Sequence, residues 1–295
     1  MNNIREMLMK KKATTIALIL IFIVGISVML YPVVSNYINS KNESKAVAGY
    51  KEKVSQMDSE KINEMFAQAQ EYNEKVYKNP MAFFDPTLVE GYNSIMDVTG
   101  TGIMGYVSIP KINVELPVYH GTSEGVLAVA AGHLEGTSFP VGMENTHAVI
   151  SAHRGLPSAR LFTDADKIEI GDSFTVTILD RVFTYEVDQI LTVKPEEVGA
   201  LQIEEGKDYC TIMTCTPYGV NSHRLLVRGV HMETGEKKEK ITAVTSDARL
   251  MDNRLVALMA AFPILIIIFV ITSAIDRKKR KELKQINEKA DIKKS

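Results

Sequence analysis

The chain has 295 residues, 45% of them apolar, with 34 Lys and Arg against 36 Asp and Glu for a net charge of −2. That length allows one or two domains with a sizeable core. The charge is unevenly spread: residues 1–12 carry +3 and residues 276–295 carry +5, leaving −10 for the rest, an acidic body that argues against nucleic acid as a partner.

Residues 1–12 form a basic tail ending in Lys10, Lys11 and Lys12. The apolar run that follows, at 13–36, exceeds the ~7–15 residues of a signal-peptide core and meets the ~20 needed to cross hydrocarbon. The nearest small-x-small site, Ala46-Val47-Ala48, lies beyond a charged stretch, so the run reads as an uncleaved transmembrane helix. A second apolar run at 255–275 is interrupted only by Pro263 and is followed by Arg277, Lys278, Lys279, Arg280 and Lys281 in a basic tail at 276–295. Basic residues on the outer flanks of both runs predict a two-pass membrane protein with both termini cytoplasmic and the body between them outside the cell.

After the first span, a charged segment carries Val54, Met57, Met65, Phe66, Ala69, Tyr72 and Val76, mostly three or four residues apart. This spacing predicts one or two amphipathic helices resting on the outer domain and ending at Asn79-Pro80. The stretch Met81-Ala82-Phe83-Phe84-Asp85-Pro86-Thr87-Leu88 contains an Asp-Pro turn signal and belongs to a helical and loop segment at 37–100. From 101 to 232 the texture changes to short β-rich runs between turns, at 105–109, 114–119, 147–151, 172–179, 182–193, 209–216 and 224–230, with 126–131 as a helical turn or an extra strand. These runs predict a mainly β fold, an antiparallel sandwich or closed barrel. A charged linker at 233–254 leads into the second span.

The chemistry gathers near residues 208–229. Cys210 and Cys215 are the only cysteines, and along one strand their Cα atoms stand roughly 16 Å apart on opposite faces, too far to pair. The run stops at Pro217, which lacks an N–H, and Gly219, Asn221 and Ser222 supply turn chemistry. Cys215 therefore sits at the end of one strand and Arg224 near the start of the next, thiol beside guanidinium. A nucleophilic thiol needs a group that favours the thiolate, most often histidine. Periodicity alone does not choose among the six histidines, but His153 follows the run 147–151 at a strand-to-loop rim, as Cys215 does, whereas His147 belongs to the far end. No spacing of His or Cys closes a tetrahedral metal site and no glycine patch forms a phosphate loop, so neither metal nor cofactor is expected.

Thr211-Ile212-Met213-Thr214-Cys215 resembles the Thr-Leu-x-Thr-Cys signature of sortases, with Ile for Leu, and Arg224 stands where the sortase arginine follows. His133-Leu134-Glu135-Gly136-Thr137-Ser138 and Ser151-Ala152-His153-Arg154-Gly155-Leu156-Pro157 are similar to the corresponding segments of class C, pilus-assembling sortases. The resemblance spans residues 80–232 and implies a sortase-like closed β-barrel with N-terminal helices, flanked by two transmembrane helices, in the membrane of a Gram-positive bacterium. It further implies a cysteine transpeptidase with Cys215 as nucleophile, His153 as acid and base and Arg224 as a backbone or oxyanion ligand. Its donors are Leu-Pro-x-Thr-Gly-like sorting signals of pilin or surface proteins, and its acceptor is a pilin lysine or a cell-wall precursor amine. Many such enzymes carry an Asp-Pro-aromatic lid; Asp85-Pro86 fits it and suggests a pairing of Asp85 with Arg224, while Thr87 occupies the aromatic position and leaves Phe83 or Phe84 as the covering ring. A housekeeping sortase and a non-catalytic membrane-anchored binding domain are the alternatives.

Overall fold

The computed structural model describes residues 2–232, with side chains from residue 15 onward. The linker at 233–254, the second span at 255–275 and the tail at 276–295 lie outside the described residues.

Helix α1 (Asn2–Ser55) contains the first apolar run, and among the described residues it is the one helix long and apolar enough to cross a membrane. Its side chains from Ile16 to Val24 and at Val28 and Met29 are exposed, unlike those of a core helix. The span and the first amphipathic stretch are one helix rather than two, because Pro32 removes a single backbone donor and no other breaker intervenes before Gly49. Toward its C-terminus α1 buries Val47, Tyr50 and Val54. Tyr50 Oη donates to Met104 O at 2.8 Å and accepts from Leu179 N at 2.7 Å, which pins the helix to the sheet.

Helix α2 (Ser59–Lys78) follows a short turn and buries Ile62, Met65, Phe66, Ala69, Tyr72, Asn73 and Val76, the apolar stripe its spacing predicts. Each such large side chain contributes roughly 1.5–3 kcal/mol when fully buried. Asn73 adds a polar lock: its Nδ2 donates to Phe139 O at 2.9 Å and its Oδ1 accepts from Phe139 N at 2.7 Å. The helix stops at Asn79, as the following Pro80 requires.

Eight strands close into a barrel in the order β1-β2-β3-β4-β7-β8-β6-β5. They are β1 (Ile103–Ile109), β2 (Val114–His120), β3 (Ala131–His133), β4 (Thr146–Ser151), β5 (Ser173–Ile178), β6 (Arg181–Val193), β7 (Asp208–Thr216) and β8 (His223–His231). The stretch 126–131 holds the end of a short helix α3 (Glu124–Leu127), and the extra strand β3 only begins at its last residue. The closed barrel matches the expectation, but the antiparallel reading needs correction, since β2–β3 and β4–β7 are parallel. Parallel neighbours need a long crossover. For β4 and β7 it is the excursion through the β5–β6 hairpin, which no local pattern announces.

Two apolar layers result. Inside the barrel lie Val107, Ile150, Phe174, Val176, Tyr185, Cys210, Ile212 and Val227. On the outer face of β4, β7, β8 and β6 a smaller cluster joins Val149, Met213, Leu226, Leu191 and Val193 to Leu201 and Phe83.

Candidate active site

β7 and β8 pair with Cys215 opposite Arg224, Met213 opposite Leu226 and Thr211 opposite Arg228. The hairpin therefore brings thiol and guanidinium to one register position at the barrel rim, both half-buried. Alternation along β7 sends Cys210 to the interior, where it is 0% exposed, while Cys215 shares the outward parity of Met213. Both thiols are free, and burial pushes the Cys210 thiol well above its usual range.

The other side of the rim comes from the parallel pairing of β4 with β7, which runs from Thr146 opposite Asp208 to Ser151 opposite Met213. Continuing that register two residues brings His153 level with Cys215. Backbone and side-chain bonds hold the continuation. Ala152 N donates to Met213 O at 3.2 Å, and Thr214 Oγ1 donates to Ala152 O at 2.8 Å. Arg154 Nη1 donates to Thr216 Oγ1 at 3.0 Å, Nε donates to Thr163 O at 3.1 Å, and Nη2 pairs with Asp166 at 2.6 Å. Thr211, earlier on the strand, engages His147 Nε2 at 2.7 Å. The threonines of β7 thus have a shared purpose: they bind that strand to β4 and to the loop bearing His153.

Arg154 is the residue sequence reasoning missed. A buried arginine must be paired, but its partners Thr216 and Asp166 meet it only in the folded chain. Gly155, at φ +80°, lies under the Tyr218 ring, which an added Cβ would approach to 3.0 Å. Packing thereby joins the β4 loop to the β7–β8 turn, whose Thr216-Pro217 bond is cis.

The remaining buried histidines are structural. His133 is sealed between Tyr92 and Phe139, with Nε2 facing Ser138 O at 2.8 Å, and burial lowers its pKa to about 4. His147, with Nδ1 facing Gln202 O at 3.0 Å, is likewise pushed down to about 4.

Asp85 and Arg224 do not form an ion pair. The exposed Asp85 carboxylate is held locally, accepting from Thr87 N at 3.2 Å and from Thr87 Oγ1 at 2.6 Å. The residue in the aromatic position thus supplies the hydroxyl that captures the aspartate. Arg224 Nη1 donates instead to the backbone oxygens of His223 at 3.2 Å and Asn221 at 3.4 Å. Of the two rings in this segment, Phe84 is exposed while Phe83 packs into the outer-face cluster with Met213 and Leu226. Gly136, at φ +84°, permits that docking, because an added Cβ would meet Ala82 O at 2.3 Å.

Comparison with known proteins identifies the family of this barrel. The family model described as the Sortase domain matches residues 107–232. Sortase C1 from Streptococcus agalactiae is 49% identical, with a TM-score of 0.59 over 64% of this chain and 98% of that one. The chain belongs to the sortase family, class C. A second sortase C, from Streptococcus pneumoniae, is 46% identical over 64% of this chain and 97% of its own, with a TM-score of 0.59, and was described in relation to pilin substrate specificity. Sortase C of Clostridium perfringens, solved with the C-terminal cell wall sorting motif, is 40% identical over 64% of this chain and 99% of its own, with a TM-score of 0.56. As a sortase, the chain is a cysteine transpeptidase, and the rim where β7 meets β8 and the β4 loop is its candidate active site.

Proposed function

We propose that this sortase cleaves a Leu-Pro-x-Thr-Gly-like sorting signal between Thr and Gly and joins the acyl group to a pilin lysine, polymerising a pilus. Cys215 Sγ attacks the Thr carbonyl carbon to give a tetrahedral oxyanion. Arg224 stabilises that charge by a charge-assisted hydrogen bond. Collapse breaks the Thr–Gly bond, and His153 gives its proton to the departing amine, leaving a thioester on Cys215. A lysine ε-amine then attacks the thioester, neutral His153 takes the one proton the amine loses, and the Cys215–acyl bond breaks to restore the thiolate and the imidazolium with an isopeptide product.

The single observation that carries the reading is the rim register, Cys215 opposite Arg224, with the His153 loop bonded to Thr214 and Thr216. Asp85 and Phe83 belong, in this reading, to a cover over the outer face, Asp85 shaping the turn and Phe83 occupying the groove. The protein is anchored in the cell membrane of a Gram-positive bacterium, two-pass with both termini cytoplasmic and the barrel outside.

The test is incubation of the protein with a pilin bearing such a signal. A ladder of covalent polymers and a peptide thioester trapped on the wild type, both lost in Cys215→Ala, are expected. Hydrolysed signal with no amine capture would sink the polymerase reading while leaving the thioester chemistry standing.

A further inference from the structure

The barrel has two ends, and strand direction assigns residues to each. β7 runs toward Thr216 and β8 returns from His223, so Cys215, Arg224 and its β6 partner Val193 lie at one end. The β5–β6 hairpin, closed by Ile178 opposite Arg181, lies at the other, as does Tyr185 opposite His231. Tyr50 of α1 is bonded to this second end, through Met104 O and Leu179 N.

Farther toward its N-terminus, α1 meets the loop that begins at His153. Asn39 Nδ2 donates to Ser158 O and Asn36 Oδ1 accepts from Arg160 N, both at 2.8 Å. From Tyr50 back to Asn36 the helix covers about 21 Å at 1.5 Å per residue, close to the ~23 Å of a seven-residue strand. Helix α1 therefore runs along the barrel from the far end and leaves it at the active-site end. Only one residue separates Asn36 from Val34, the last exposed residue of the apolar run before Tyr37. Tyr31 and Tyr37 stand exposed on either side of that exit, the interfacial position aromatic rings favour. At the same end the β7–β8 turn projects Tyr218 and Val220, 55% and 69% exposed among the described residues.

We propose that the active-site end of the barrel faces the membrane and that Tyr218 and Val220 rest in its headgroup layer. This rests on reading α1 as a membrane anchor.

The absence of tryptophan gives a silent background for the test. The full chain carrying Val220→Trp, or Tyr218→Trp as a second reporter, is reconstituted in phosphatidylcholine and phosphatidylglycerol vesicles containing acyl chains brominated near the headgroup. Val182→Trp, exposed at the far end, is the comparison. Quenching severalfold stronger at 218 and 220 than at 182 is expected. Equal quenching in protein that floats with the vesicles overturns the proposal alone; protein that fails to float overturns the anchor reading and the proposal with it. Labelling of a single thiol, with the buried Cys210 protected, certifies the fold in each variant.

Discussion

Arg154 is the residue on which the geometry of the site turns. Its guanidinium ties the segment after His153 to Thr216, next to Cys215, and to Asp166. Loss of such charge-assisted bonds costs roughly 1–3 kcal/mol, and loosening of a reacting pair lowers turnover out of proportion to stability. Arg154→Met is expected to lower kcat per titratable thiol by about tenfold or more with KM little changed, while Arg154→Lys, lacking the fork, recovers only part. A variant that loses stability yet keeps kcat per folded molecule would reduce Arg154 to a structural role. Cys210, buried on the opposite parity, does not interfere with such a titration.

Two elements govern access to the outer face. The segment after α2 lays Phe83 into the outer-face cluster of Val149, Leu201 and Leu226, the last of them two residues from Arg224. Phe83→Ala is expected to speed maleimide labelling of Cys215 severalfold, whereas Asp85→Ala leaves the rate unchanged because Asp85 is engaged with Thr87 alone. The reverse order of effects would restore an Asp85–Arg224 latch. Helix α2 itself depends on Asn73, whose amide satisfies both backbone groups of the buried Phe139. Asn73→Ala leaves those groups without partners and should destabilise the fold by roughly 1–3 kcal/mol per group, read as a lower denaturant midpoint. The strands themselves were legible within a residue or two, since turn residues bound them and β-branched residues fill them. The parallel neighbours were not, because pairing is set by burial across the whole sheet and not by any local pattern.

At the scale of the molecule, buried titratable groups make stability depend on pH. His133 and His147 have folded pKa values near 4 against an ordinary 6.5. The unfolded chain takes up both protons as pH falls through 6.5, so their contribution is present above 6.5 and lost toward 4. Asp208, pushed up by burial from 3.8 to about 7, works in the opposite sense, its contribution lost as pH rises through 7. Two imidazoles oppose one carboxyl, and each group carries on the order of 3 kcal/mol, so a net loss of about that size is expected on acidification from pH 6.5 to 4. Urea titrations at pH 6.5 and 4.5 read it, with Asp208→Asn steepening the fall; a stability that rises on acidification would contradict the buried neutral imidazoles.

The sequence alone determined the positions of seven of the eight strands, the mainly β class, the apolar run of α1 and the meeting of Cys215 with Arg224. All of these follow from local rules: alternation with period two, turn chemistry between residues 216 and 223, and apolar length. Only tertiary structure decided that His153 comes level with Cys215, that Arg154 holds it there, that Asp85 turns to Thr87 and that α1 leaves the barrel at the active-site end. Each of those depends on partners dozens of residues apart, brought together by a parallel pairing and a helix docking that become favourable only once the whole core is buried.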